Sequence, residues 1–93
     1  DTAAIRIVRE VADLAGQSGI RIMLYPHIWF WLEDFEKGVD LVERIGRKNV
    51  GITFNLPHFL ALKEPKDVAR LPKLLKKAAP YLFAVSICGA TAL

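Results

Sequence analysis

Asn55 and His58 close a short run of β-formers, Val50-Gly51-Ile52-Thr53-Phe54, and Pro57 beside them cannot donate to a strand ladder. An amide and an imidazole delivered where a strand gives way to a loop make a candidate site, because parallel α/β folds place their chemistry at the carboxyl ends of strands. His27 follows a second such run, Ile20-Arg21-Ile22-Met23-Leu24-Tyr25, which Pro26 ends. Tyr25 offers a phenol that can donate to a ligand oxygen or act as an acid; it can also be a strand aromatic that only packs. The other three have plain readings too. His58 can be structural, His27 can be an ordinary loop residue after proline, and the Asn55 amide suits capping a turn or holding a loop. Trp29, Phe30 and Trp31 either stack on a ligand ring or pack against neighbouring loops or a partner.

These residues need elements to hold them. From Thr2 to Ala15 the apolar positions Ile5, Val8, Val11, Ala12 and Ala15 follow helical spacing, and Gly16 and Gly19 stop the helix. The strand ending at Tyr25 comes next, then the aromatic loop. A second helix begins near Glu33-Asp34, carries Phe35, Val39, Val42 and Ile45 as its apolar stripe, and closes at Gly46. Asn49 leads into the strand before Asn55, and His58 to Leu62 reads as a helical turn. Pro65 fits a helix start; Val68, Leu71, Leu74, Leu75 and Ala78 form a third stripe that Pro72 breaks, so a short helix is followed by another with Pro72 in its first turn. Pro80 ends that helix, Leu82 to Ile87 is a third strand, and Cys88 to Thr91 is the loop at its end.

The order is α-β-α-β-α-β, with strand starts about 30 residues apart, the span of one βαβ unit. Right-handed crossovers of this kind give a parallel sheet. Three parallel strands alone leave two open edges, whereas a (β/α)8 barrel takes ~250 residues. The fold class is therefore α/β, and the chain can supply about three βα units of such a barrel, a partial (β/α)8 TIM barrel in one incomplete domain; a self-contained flavodoxin-like or half-barrel module that oligomerises is the other reading. The remaining barrel strands, or self-association, are needed to complete it. The pattern opens inside a helix without an initiator Met, as a domain cut or fragment would.

Composition narrows the function classes. The chain has 93 residues, 53% hydrophobic and 25% charged, which describes a folded domain and not a disordered segment. A net charge of +3 is modest. Lys63, Lys66, Lys73, Lys76 and Lys77 recur at helical spacing as a solvated face, with no interleaved aromatics, so nucleic acid is not an expected partner. Asp34, Glu36 and Glu43 likewise read as a solvated helix face. No apolar run approaches the ~20 residues of a membrane span, and no membrane partner is expected. Cys88 is the one cysteine, compatible with a reducing, cytoplasmic setting. Ser86 and Cys88 lie near a strand end without a His-Asp pair, so nucleophilic catalysis has no support. A Gly-rich phosphate loop, HExxH and Cys-x-x-Cys are all missing, which leaves nucleotide cofactors unsupported.

Three stretches together resemble the sugar phosphate isomerase/epimerase group, the xylose isomerase-like TIM barrels. Leu24-Tyr25-Pro26-His27 stands where the family has a motif like Leu-Glu-Asn-His. Asn49-Val50-Gly51-Ile52-Thr53-Phe54-Asn55-Leu56-Pro57-His58 is similar to Asn-Val-Gly-Leu-x-Phe-Asp-x-x-His. Val85-Ser86-Ile87-Cys88-Gly89 matches a strand like Val-His-Leu-x-Asp. The resemblance covers nearly the whole chain and identifies the strands as the fifth to seventh of the barrel.

It implies isomerisation or epimerisation of a sugar or sugar phosphate, by metal-assisted proton transfer next to a carbonyl. The family's metal ligands are a Glu, an Asp, a His and a Glu on strands five to eight; Tyr25, Asn55 and Ser86 occupy the first three places. The implied roles are catalytic for His58 and Tyr25 and substrate-binding for His27, Trp29, Trp31 and Asn55. Asn55 and His58 are the candidate ligands for a divalent ion (Mn, Mg, Co or Zn), which the replaced carboxylates leave open. The alternative is a degenerate barrel that binds carbohydrate without turnover. The segment by itself is expected to be inactive.

Overall fold

The computed structural model describes residues 2–27, 31–62 and 68–87, and the side chains of all of these except 60–62. Trp29, Phe30, Lys63, Pro65, Lys66 and Cys88, together with the loop that follows Cys88, lie outside the described residues. Helix α1 (Thr2–Gly16) turns Ile5 and Ala12 into the core and brings Val8 against it. A turn through Gly19, whose φ of 69° lies in the left-handed region, leads to strand β1 (Ile22–Leu24). The apolar run predicts a strand from Ile20 to Tyr25, but β1 is shorter. Its ladder to the next strand covers only Ile22 to Leu24, and Ile20 is exposed. Tyr25 therefore lies just past the paired backbone.

Helix α2 (Phe35–Ile45) is closed at both ends by the devices its sequence suggests. Asp34 is its N-cap, accepting from the Glu36 N–H at 2.8 Å, a more specific role than a solvated charge. Gly46 ends it at φ 67°, its N–H donating to the Val42 carbonyl. A further brace comes from α1. Arg9 donates from Nε to the Ile45 carbonyl at 2.9 Å and from a terminal nitrogen to the Arg44 carbonyl at 2.8 Å. A cation on the last carbonyls of a helix is favoured by the dipole as well as by the hydrogen bonds. Arg9→Met keeps the aliphatic stem and removes both donors. It is expected to lower stability by about 1–2 kcal/mol, seen as a lower urea midpoint with unchanged slope; an unchanged midpoint would show that α1 and α2 do not need the link.

Strand β2 (Val50–Asn55) is buried along its whole length. Val50, Ile52 and Phe54 face α2, where Phe35 meets Phe54 edge to face at 4.9 Å between centroids. Gly38 lets α2 approach closely, with Ile52, Pro26 and Leu32 packed around its Cα. Asn49 secures the entry to β2, donating from Nδ2 to the carbonyls of Ala12 (2.8 Å) and Ile20 (3.2 Å).

Helix α3 (Leu56–Leu62) starts directly at the end of β2, and α4 (Leu71–Ala78) carries Pro72 in its first turn, as the spacing predicts. Leu74 and Ala78 of α4 are buried, while Lys73, Lys76 and Lys77 are exposed and Lys77 pairs with Asp40 at 3.0 Å. A 3-10 turn (Ala79–Tyr81) contains Pro80 and opens into strand β3 (Leu82–Ser86).

The sheet order is β1-β2-β3, with both pairings parallel. This is the α/β arrangement expected of a partial barrel. Between β2 and β3 the register shifts. Ile52 faces Leu82 but Thr53 faces Ala84, leaving Phe83 as the extra residue of a bulge. The Thr53 hydroxyl donates to the Ala84 carbonyl there, at 3.1 Å. Past the bulge, Asn55 and Ser86 are register partners, so the central strand delivers its amide beside the end of β3.

Candidate functional site

Four of the polar residues singled out by spacing meet at the carboxyl ends of β1 and β2. Tyr25 and His27 come from the segment after β1, Asn55 is the last residue of β2, and His58 lies in the first turn of α3. Asn55 organises them. Its Oδ1 accepts from the His58 backbone N–H at 3.1 Å, which makes it the N-cap of α3 with the third helical N–H as donor. Its Nδ2 donates to the Tyr25 hydroxyl at 2.9 Å. The capping role foreseen for Asn55 and its position in the site are thus two ends of one amide. Asn55 is only 6% exposed, whereas Tyr25 is 47% exposed, so the phenol is held from below and open above.

The imidazoles of His27 and His58 lie 3.9 Å apart between centroids, tilted by 46°. The Tyr25 ring is 5.9 Å from His27 and 6.0 Å from His58, edge-on to the latter. Burial pushes the His58 pKa below the ordinary histidine value, and the charge His27 carries when protonated pushes it the same way. At neutral pH His58 is therefore a neutral imidazole, able to donate from one nitrogen and accept at the other.

This depressed pKa has a sign that can be checked. The unfolded chain binds a proton on His58 more readily than the folded one. The contribution is favourable above the unfolded value near 6.5 and is lost as pH falls through the folded pKa. An NMR titration of the ring protons should place His58 below the ordinary histidine value. His27→Gln should raise the His58 pKa only in part, because burial is the larger cause. A full return to the ordinary value in His27→Gln would reverse that ranking.

Trp31 is placed elsewhere. It is 67% exposed and lines a groove on the outer side of α2 with Leu32, Lys37, Asp40, Leu41 and Arg44, a groove that includes none of the four clustered residues. Trp29 lies outside the described residues. Ser86 stands next to Asn55 across the ladder.

Imidazoles are ligands of the kind that Zn or Co takes, but the donor set at the described strand ends does not fit the harder ions, Mg and Mn. Such ions favour carboxylates, and the strand ends present a phenol, an amide and two imidazoles. The amide oxygen, the one atom of Asn55 able to coordinate, accepts from the His58 N–H with one of its two lone pairs and brings no charge. Among the described residues no three His, Cys, Asp or Glu side chains are grouped to hold a metal. No helix among them is long and apolar enough to cross a membrane.

Sequence spacing identified the four residues but not the contact between His27 and His58, nor the direction of the Asn55 hydrogen bonds. A partial signal for the latter was present, since Asn directly before a helical turn is a strong cap.

A family model described as a xylose isomerase-like TIM barrel matches residues 1–92 of the chain. Over 62 residues the chain is 32% identical to an inosose isomerase of Bacillus velezensis, a match that covers 64% of the chain and 22% of that protein. The chain thus corresponds to well under half of that relative's length. No solved structure matches the chain.

Proposed function

From the premise that the chain belongs to the xylose isomerase-like TIM barrels, we propose that the complete barrel isomerises or epimerises a sugar or sugar phosphate by proton transfer next to a carbonyl. The observation that carries this reading is the convergence of Tyr25, His27, Asn55 and His58 at the carboxyl ends of adjacent parallel strands, the position of barrel active sites. The relative's name directs the choice of substrate toward inososes, which are cyclic polyhydroxy ketones.

In the proposed reaction a base removes the proton from the carbon beside the carbonyl, and the carbonyl oxygen gains a proton to give an enediol. Return of a proton to the neighbouring carbon isomerises the substrate; return to the opposite face of the same carbon epimerises it. Neutral His58 suits proton movement between the two enediol oxygens, since it donates and accepts at once. His27 supports it as a second hydrogen-bonding imidazole. The carbon base belongs to another part of the barrel, because the described strand ends offer no carboxylate, and no step is assigned to a metal. The remaining barrel strands would cover the edges of β1 and β3. Nucleic acid and membrane have no part in the scheme, and the lone Cys88 suits a cytoplasmic location.

The test is incubation of the full-length protein with an inosose in deuterated water. Deuterium should enter the carbon next to the carbonyl, and His58→Gln should slow this by roughly 10²–10⁴-fold, the range for a lost acid-base group. The 93-residue segment alone should show none. Binding of the inosose without any deuterium uptake would instead support a carbohydrate-binding barrel without turnover, a reading favoured by the carboxylate-free strand ends.

A further inference from the structure

The hydrogen bonds of Asn55 have a fixed direction. A backbone N–H can only donate, so the atom of Asn55 facing the His58 N–H must be the carbonyl oxygen. The amide nitrogen is then the atom that faces Tyr25, and it too can only donate. The Tyr25 oxygen must accept. Its own proton is left pointing away from Asn55, and the half-exposed ring stands 5.9 Å from His27 and 6.0 Å from His58 between centroids. Among the described residues, Asn55 is the hydrogen-bond partner of the Tyr25 hydroxyl.

We infer that Asn55 is a positioning residue that commits the Tyr25 hydroxyl to donate its proton, in a hydrogen bond, to the carbonyl oxygen of the bound substrate. The Asn55–Tyr25 pair thereby polarises the carbonyl at a place whose donor set does not suit a hard cation. An amide N–H donating into the phenol oxygen strengthens the phenol as a donor, because linked hydrogen bonds polarise one another. The ligand group selected is a neutral oxygen with free lone pairs, a ketone or aldehyde, and no covalent step is involved. This inference rests on the proposed sugar chemistry and names the group that engages the carbonyl.

Asn55→Asp separates positioning from simple structure. Aspartate caps a helix as well as asparagine does, so α3 stays capped. A carboxylate can only accept, however, so the Tyr25 hydroxyl donates its hydrogen bond to it and the bond is reversed. The experiment uses the full-length protein and an inosose labelled with carbon-13 at its carbonyl. In the wild type the carbonyl resonance should move downfield on binding. In Tyr25→Phe that shift should be lost and binding weakened roughly 2- to 13-fold, the loss of one net hydrogen bond. In Asn55→Asp the shift should also be lost while circular dichroism stays that of the wild type. Treating the wild-type protein with a chelator should leave the shift in place.

The outcomes separate the two readings. No inosose binding by the wild type overturns the proposed function and this inference together. Binding with a carbonyl shift that survives in Tyr25→Phe or in folded Asn55→Asp overturns the inference alone. A shift abolished by the chelator does the same, because a cation would then be the polarising group.

Discussion

Ile52→Ala is expected to be the most damaging single truncation, lowering stability by about 2–5 kcal/mol. Ile52 is 0% exposed, at the middle of the central strand, and its ladder partners are Leu24 on one side and Leu82 on the other. Its side chain fills the space under α2 at the position where Gly38 brings the helix closest. Removing it costs the transfer of the lost carbons and leaves a void that a strand clamped on both sides cannot close. A small domain has only about 5–15 kcal/mol in total, so a large share disappears. Ile52→Val should cost about 0.5–1.5 kcal/mol, since it removes one methyl-sized group. Urea unfolding of both variants checks the prediction. A larger loss for valine than for alanine would mean that shape, not cavity volume, governs the position. The consequence reaches the site, because Asn55 is carried on the same strand three residues further on.

Gly51→Ala is the second large effect, through overpacking instead of a void. A Cβ built on Gly51 would come within 2.6 Å of three carbons of the Phe83 ring. Phe83 is half-buried, and its place is tied to two features. It is the extra residue of the β3 bulge, and the Arg21 guanidinium lies 5.1 Å from its ring centroid. Pushing the ring aside disturbs the bulge and the cation–π contact together. A cost of about 1–3 kcal/mol follows. Gly51→Ala combined with Phe83→Leu should be more stable than the sum of the two single changes, since the smaller side chain relieves the clash. Strict additivity would show that the Phe83 ring is not what makes alanine costly at this place.

The same pair shows where local sequence stops being informative. The Asn-Val-Gly run presents Gly51 only as a weak residue in a strand, and its reason for being glycine lies 32 positions away in a bulge that no local pattern marks. Strand β1 makes a related point. The β-forming run from Ile20 to Tyr25 allows six residues of strand, but ladder formation depends on a neighbour, and β2 pairs with three of them. Arg9 looks like an ordinary charge on α1 until α2 places its last two carbonyls beside it. Helices were more legible because their boundaries are local. Asp34, Gly46 and Pro72 act within a turn of themselves, and each acts as its residue type predicts.

Trp31 separates proximity in sequence from proximity in space. It follows His27 by four residues, and the His27 N–H donates to the Leu32 carbonyl at 2.9 Å, but the indole lines a groove beside α2. His27 and His58, 31 positions apart, are in ring contact instead. Parallel topology accounts for this: every strand end in such a sheet points the same way, so residues one βα unit apart converge.

By itself, then, the sequence determined the kinds of elements, their order and the end of the sheet at which polar groups collect, because hydrophobic period, caps and strand spacing are properties of short stretches. It also determined that the strand ends carry an amide and a phenol where carboxylates are expected from the family pattern. Only the tertiary structure decided that these two residues satisfy one another, with Asn55 donating and Tyr25 accepting across 30 positions. A hydrogen bond's direction depends on what each atom meets. Which polar residues stand at these strand ends was therefore readable from the chain, while the direction of their hydrogen bonds was set by folding.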